Sequence, residues 1–143
     1  MAPLGEQSEG ASGPWSLKGR RILVVEDQSL IAMEIQDYLE RAGAIVAGPA
    51  GTVDQALSKA EEDILDAALL DIDLNGERCW PVADVLTRRA IPFAFTTGFE
   101  GRIGMPERFA ASPVLSKPYR EEELLAVLRR LLMRNNAQET QRL

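Results

Sequence analysis

The stretch that decides the fold is LLDIDLNGE, residues 69–77. Its leucines end an apolar run, DAALL (66–70), which has the length and composition of a buried strand. Asp71 and Asp73 follow at once, and the Asn-Gly pair after them favours a turn. Carboxylates where a buried strand meets water are typical of a metal site or an aspartyl nucleophile. A solvated loop is the alternative that this stretch alone leaves open.

Short apolar runs alternate with helical patterns along the chain. A helix start is marked by Thr52 and Gln55, which have the spacing of a capping box. Strand-helix alternation predicts an α/β fold with a doubly wound, five-stranded parallel sheet and right-handed crossovers. The predicted strands are 20–26, 44–48, 66–70, 92–96 and 113–116.

The two ends of the chain are expected to lie outside this fold. Residues 1–16 are rich in Gly, Ser, Pro and Glu and predict a flexible tail, and residues 135–143 predict a polar tail. The domain then spans 17–134. Its last helix should begin at Glu121 and end near Arg134, with acidic and basic ends that complement the helix dipole. Between residues 98 and 112, before this helix, apolar periodicity is weak and predicts only a short helix, 106–110.

Composition excludes several functions. The chain has 143 residues, enough for one domain, and a net charge of −6, which disfavours nucleic-acid binding. Absence of histidine removes histidine-based catalysis and metal binding, and the single cysteine, Cys79, permits no internal disulfide. No apolar run reaches the roughly 18 to 20 residues of a membrane span, and no signal peptide is evident, so a cytoplasmic protein is expected.

Polar side chains follow the predicted strands at their carboxyl ends. In doubly wound folds these ends meet in one crevice, where ligands bind. Carboxylates about 4 Å apart repel by roughly 4 kcal/mol at an effective dielectric near 20, so a cluster of acids there needs a cation. Oxygen ligands beside a lysine suit Mg²⁺. The residues are Glu26 and Asp27, Asp71 and Asp73, Thr96 and Thr97, and Lys117.

Each residue also has a simpler explanation. Glu26 and Asp27 would suit the cap of the first helix, and Thr97 would suit any strand. Lys117 could be an ordinary surface lysine. The site interpretation is favoured because all of these residues fall at strand ends of one predicted edge.

Four short motifs together resemble the response-regulator receiver domain, the phosphoacceptor of two-component signalling. They are VVED (24–27), LLDIDL (69–74), FTTG (95–98) and SKPY (116–119), and the similarity runs from about residue 19 to 133. Each motif alone is weak, but four in order at strand ends are specific. The resemblance implies a flavodoxin-like sheet of order 2-1-3-4-5 with five helices on its two faces.

The resemblance also implies a role for each site residue. Asp71 matches the phosphoacceptor, Thr97 the switch hydroxyl, and Lys117 the lysine that pairs with the phosphoryl group. The implied cofactor is Mg²⁺. Its ligands would be Glu26, Asp27, Asp71 and the backbone carbonyl of Asp73.

Two departures from the family pattern concern signal output. The run FTTGFE (95–100) is similar to a Phe-Ala-Thr-Gly-apolar-Tyr motif of single-domain receivers, with Thr96 and Glu100 in place of Ala and Tyr. The family usually has an aromatic residue three positions before the lysine, where this chain has Val114. A switch based on a swinging aromatic at that position is therefore not expected.

The function implied is that of a stand-alone receiver, not an enzyme, which catalyses only its own phosphorylation and dephosphorylation. Its partners would be a histidine kinase or histidine phosphotransfer protein and a downstream protein, with no nucleic acid or membrane, and the chain would be a monomer or weak homodimer. Three alternatives stay open: a haloacid-dehalogenase-like phosphotransferase using Asp71-Ile72-Asp73, a phosphorylation-independent adaptor, and a receiver excised from a hybrid kinase.

Overall fold

A computed structural model describes residues 16–98 and 103–142, with side chains up to residue 134. Four α-helices and a single 3₁₀ turn accompany seven strands in this part of the chain. The strands are β1 (Arg21–Val25), β2 (Ile45–Ala50), β3 (Ala67–Asp71), β4 (Asp73–Leu74), β5 (Glu77–Arg78), β6 (Phe93–Thr97) and β7 (Val114–Ser116). The helices are α1 (Ser29–Arg41), α2 (Val53–Glu62), α3 (Trp80–Arg88) and α4 (Glu121–Arg142), and the 3₁₀ turn is Glu107–Phe109.

Five strands form one parallel sheet in the order β2-β1-β3-β6-β7. With β6 and β7 as its fourth and fifth strands, this confirms the predicted order 2-1-3-4-5. The order reverses at β1 and β3, whose carboxyl ends therefore border the crevice that parallel sheets use for ligands.

Both faces of the sheet are covered, which explains why its strands read as continuous apolar runs. Leu23 and Leu70 pack on one face against α2 and α3, and Ile22 and Leu69 pack on the other against α1 and α4. Successive side chains of a strand alternate between the two faces, so both neighbours are buried. Leu17, just before β1, is fully buried and belongs to the core on the face that α1 and α4 cover.

Asp71 is followed by a small antiparallel hairpin, β4 and β5. Its two turn residues, Asn75 and Gly76, have φ values of 53° and 89°. Two consecutive positive φ angles characterise the tight hairpin turn that an Asn-Gly pair favours. The predicted turn is therefore confirmed.

Three predictions about the helices need correction. Helix α4 continues to Arg142, so the prediction that it ends near Arg134 is wrong. The short helix predicted over 106–110 is a 3₁₀ turn, and the described residues contain four α-helices, not the five implied by the resemblance. At the start of α2 the Gln55 N–H donates to Thr52 Oγ1 (3.1 Å), but the Gln55 side chain accepts from Gly51 N, one residue before the expected cap.

No helix within 16–98 and 103–142 combines the length and the hydropathy needed to cross a membrane.

Candidate functional site

The carboxyl ends of β1, β3 and β7 bring two acids and a lysine together. The backbone places them: Glu26 N donates to Ala50 O (2.9 Å), and Lys117 N donates to Thr97 O (2.7 Å). Lys117 Nζ then lies 2.9 Å from Glu26 Oε1 and 3.0 Å from Asp71 Oδ2. One ammonium group therefore bridges two buried carboxylates that come from different strands.

Asp27 completes a group of three acids. Carboxylate oxygens of Glu26, Asp27 and Asp71 all lie within 4.8 Å of one another. Backbone amides orient all three. Gln28 N donates to Glu26 Oε2 (3.1 Å), Asn75 N donates to Asp27 Oδ2 (3.0 Å), and Asp73 N donates to Asp71 Oδ1 (3.2 Å). Hard oxygen ligands at this spacing suit a small divalent cation.

The environment favours the neutral form of Asp71. Burial, and then the charge of Glu26, raise the pKa of Asp71 from 3.8 to about 7, although Lys117 opposes the shift. For Lys117, burial lowers the pKa, but the hydrogen bond to Glu26 and the attraction of Asp71 outweigh it, so the pKa rises. The lysine is held charged, while the two acids compete for its single charge.

Asp73 lies beside the three acids, but its side chain points to a different partner. Its carboxylate accepts a hydrogen bond from Gly76 N (3.0 Å), within the β4–β5 turn. Its backbone N–H donates to Asp71 Oδ1 (3.2 Å). The group of three acids does not include the Asp73 carboxylate. The expectation that Asp73 offers a metal its backbone carbonyl stays a prediction.

Thr96 and Thr97 end β6, and both are buried. Thr96 is the register partner of Asp71 in the sheet. The hydroxyl of Thr97 donates to Gly98 O (3.2 Å), and its carbonyl accepts from Lys117 N. The strand end thus holds Thr97 next to the lysine, while its switch role stays a prediction. Phe99 and Glu100, on which the subgroup similarity partly depends, lie outside the described residues.

Tyr119, the last residue of the SKPY motif, packs against the core cluster that includes residues of α1 and α4. Its hydroxyl is buried and has no hydrogen-bond partner among the described residues. Burial raises the pKa of Tyr119, and the charge of Glu26 adds to the shift. Sequence reasoning missed that Tyr119 lies within the electrostatic influence of the site, because only its position two residues after Lys117 pointed to it.

This chain belongs to the response regulator receiver family, since the model for the response regulator receiver domain matches residues 22–129. It is 31% identical over 114 residues to the phyllosphere-induced regulator PhyR of Methylorubrum extorquens, covering 78% of this chain and 43% of PhyR. The chain spans about half the length of the curated relatives it matches.

Solved structures extend the comparison. SdrG from Sphingomonas melonis is 41% identical, with a TM-score of 0.68 over 77% of this chain and 96% of SdrG. The receiver domain of the sensor histidine kinase PA1611 from Pseudomonas aeruginosa is 25% identical, with a TM-score of 0.71 over 80% of this chain and 98% of that domain. That structure has a magnesium ion coordinated in its active-site cleft. The family match sets aside the haloacid-dehalogenase-like alternative.

Proposed function

We propose that this receiver accepts a phosphoryl group on Asp71 from a histidine kinase or a histidine phosphotransfer protein. The observation that carries the proposal is the position of Lys117 Nζ, 2.9 Å from Glu26 and 3.0 Å from Asp71. The two buried acids hold this ammonium group at the site, where it would also neutralise charge on a transferred phosphoryl group.

Glu26, Asp27 and Asp71 would hold Mg²⁺. The donor set fits, because three carboxylates converge within 4.8 Å. Among the residues that the structure describes, Lys117 is the one lysine paired with them, through Glu26 and Asp71. The ion, when bound, supplies positive charge to the oxygens of the phosphoryl group and offsets repulsion among the acids. Asp73 is proposed to contribute through its backbone carbonyl, since its side chain is engaged by Gly76.

The chain's own residues then account for the transfer. An Asp71 carboxylate oxygen attacks phosphorus in line, forming an O–P bond as the N–P bond to the donor histidine breaks. Phosphorylation of Asp71 would break its hydrogen bond to Lys117, and the lysine would then pair with a phosphoryl oxygen. Within the described part of the chain the Thr97 hydroxyl donates to the neighbouring Gly98 O (3.2 Å), and it is proposed to turn towards the same group.

The output is proposed to be a contact with a downstream protein or onward phosphotransfer. Support comes from the family, whose members signal between histidine kinases and downstream partners. The adaptor alternative predicts the same fold with no adduct, so the two differ in one measurable property.

The proposal is tested with Mg²⁺ and a small phosphodonor such as acetyl phosphate. An acid-stable, alkali-labile adduct should form on the unsubstituted chain and disappear in Asp71→Asn. Asp73→Asn is the matched control, because the Asp73 side chain bonds to Gly76 and should be dispensable for adduct formation. If a folded chain forms no adduct, the phosphoacceptor function is wrong and the adaptor function takes its place.

A further inference from the structure

Four aromatic rings connect the switch strand β6 to the 3₁₀ turn. Phe109, from that turn, is 3% exposed, stacks on Trp80 with ring centroids 5.8 Å apart, and meets Phe95 edge-on at 5.6 Å. Trp80 and Phe95 are themselves in edge contact at 5.5 Å, and Phe93 completes the cluster. Aromatic pairs at these distances attract beyond the area they bury, so Phe109 anchors the turn to α3 and β6.

The neighbouring residue, Arg108, fastens the same turn from outside. Its Nε and one terminal nitrogen bond both oxygens of Asp84 on α3, at 2.9 and 3.0 Å. Its guanidinium also lies 4.6 Å from the centre of the Phe109 ring. We call this arrangement the latch: Arg108 and Phe109, held by Asp84 and Trp80. The side chains of Arg108 and Asp84 are 55% and 45% exposed, so water can readily replace the ion pair between them.

Strand periodicity links the latch to the phosphorylation site. Phe95 and Thr97 are two residues apart on β6 and therefore point to the same face of the sheet. On that face the register partner of Phe95 is Val114, the position where receivers usually have an aromatic residue. Val114 packs against the same cluster as Phe109. Aromatic rings that contact β6 are thus supplied by the 3₁₀ turn (Phe109) and by α3 (Trp80), whereas β7 has Val114 at this position.

We propose that the latch is the output switch of this chain, closed in the resting protein and opened when Asp71 is phosphorylated. The inference rests on the function proposed above. Movement of Thr97 towards the phosphoryl group alters the packing around Phe95. This weakens the contact between the Phe95 and Phe109 rings. Phe109 and Arg108 then leave Trp80 and Asp84, and an aromatic surface is uncovered.

The opened surface would join an existing cavity. Arg108 and Phe109 form part of the wall of a cavity of about 370 Å³, together with Ile91, Phe93 and Leu131. This cavity lies at the amino-terminal end of β6, whereas the three acids lie at the carboxyl ends of the strands. Release of the latch therefore changes a surface remote from Asp71, as a signal to a partner requires.

Trp80 reports the state of the latch directly. The chain has two tryptophans, so Trp15→Phe leaves Trp80 as the sole tryptophan, which is excited selectively over the two tyrosines. Acrylamide quenching is measured with and without Mg²⁺ and beryllofluoride, a phosphoryl mimic, and adduct formation is followed separately with acetyl phosphate. In the same background, Arg108→Gln and Asp84→Asn break the ion pair. Arg88→Gln is the control, because Arg88 is exposed on α3 and has no ion pair among the described residues.

If the inference holds, the mimic raises quenching of Trp80. A partly exposed ion pair shifts an equilibrium by about two- to fivefold, so Arg108→Gln and Asp84→Asn should raise the open fraction of the resting protein by that factor. The double variant should add nothing beyond either one, and Arg88→Gln should match the background.

The two possible failures are distinguishable. An adduct on Asp71 with unchanged quenching of Trp80 would overturn the latch and leave the phosphoacceptor function intact. Absence of the adduct in a folded chain would overturn both. A circular dichroism melt of each variant separates an open latch from an unfolded domain, because only unfolding removes the helical signal.

Discussion

Removal of the Lys117 charge should destabilise the protein far more than removal of an ordinary lysine. Lys117→Met leaves Glu26 and Asp71 buried without their shared cation, with side chains 0% and 6% exposed. Their nearest oxygens lie within 4.8 Å, and two unit charges at that distance repel by roughly 3.5 kcal/mol at an effective dielectric near 20. Breaking a buried pair by removing one partner costs about 3–5 kcal/mol, so a loss of that size is expected.

Urea unfolding at about pH 8 in the presence of a chelator measures this loss as a change in the free energy of unfolding. Lys59→Met is the matched control, since Lys59 pairs with Asp63 at 4.0 Å with 40% of its side chain exposed, and such a pair contributes below about 1 kcal/mol. Added Mg²⁺ should recover more stability in Lys117→Met than in the unsubstituted chain. Equal, small losses in the two variants would refute the electrostatic account of the site.

Three further predictions concern stability. Burial and Glu26 raise the pKa of Asp71 to about 7, so the folded chain retains a proton that the unfolded chain loses near pH 4. The unfolding free energy should therefore fall as the pH rises from about 4 to about 7. Urea titrations at each pH measure this fall, and Asp71→Asn should abolish it. Tyr119→Phe removes a buried hydroxyl that has no hydrogen-bond partner in the described part of the chain, and should raise the unfolding free energy by about 1 kcal/mol; a loss would show that the hydroxyl has a partner. Gly19→Ala (φ 76°, no atom within 4 Å of the new Cβ) should cost about 1 kcal/mol, and Gly48→Ala (φ 96°, Cβ 2.9 Å from Val24 O) clearly more, which thermal melts would resolve.

The sheet and the site were predictable because both follow from local patterns. Buried parallel strands must be apolar throughout, so each strand shows itself as a short run, and a polar residue directly after it must lie at the carboxyl edge. Glu26, Asp71 and Lys117 were placed together on that basis, and the structure brings them within hydrogen-bonding distance.

The features that the sequence did not reveal depend on tertiary contacts or on the extension of a helix that has already formed. The 3₁₀ turn exists because Phe109 finds three aromatic rings from α3 and β6, and no periodicity in its own segment records that. Helix α4 runs on to Arg142 although its polar end has no apolar stripe, since extending a formed helix adds one hydrogen bond per residue without a new nucleus. That the Tyr119 hydroxyl has no partner among the described residues is likewise visible only in three dimensions.

The most direct test of the central claim locates the phosphoryl group on the chain. After reaction with Mg²⁺ and acetyl phosphate, borohydride reduction converts an aspartyl phosphate to homoserine, and peptide mass spectrometry identifies the residue. Homoserine is expected at position 71 alone, and only when Mg²⁺ is present. Homoserine at position 73 or 27, or at none while the chain is folded, would contradict the account.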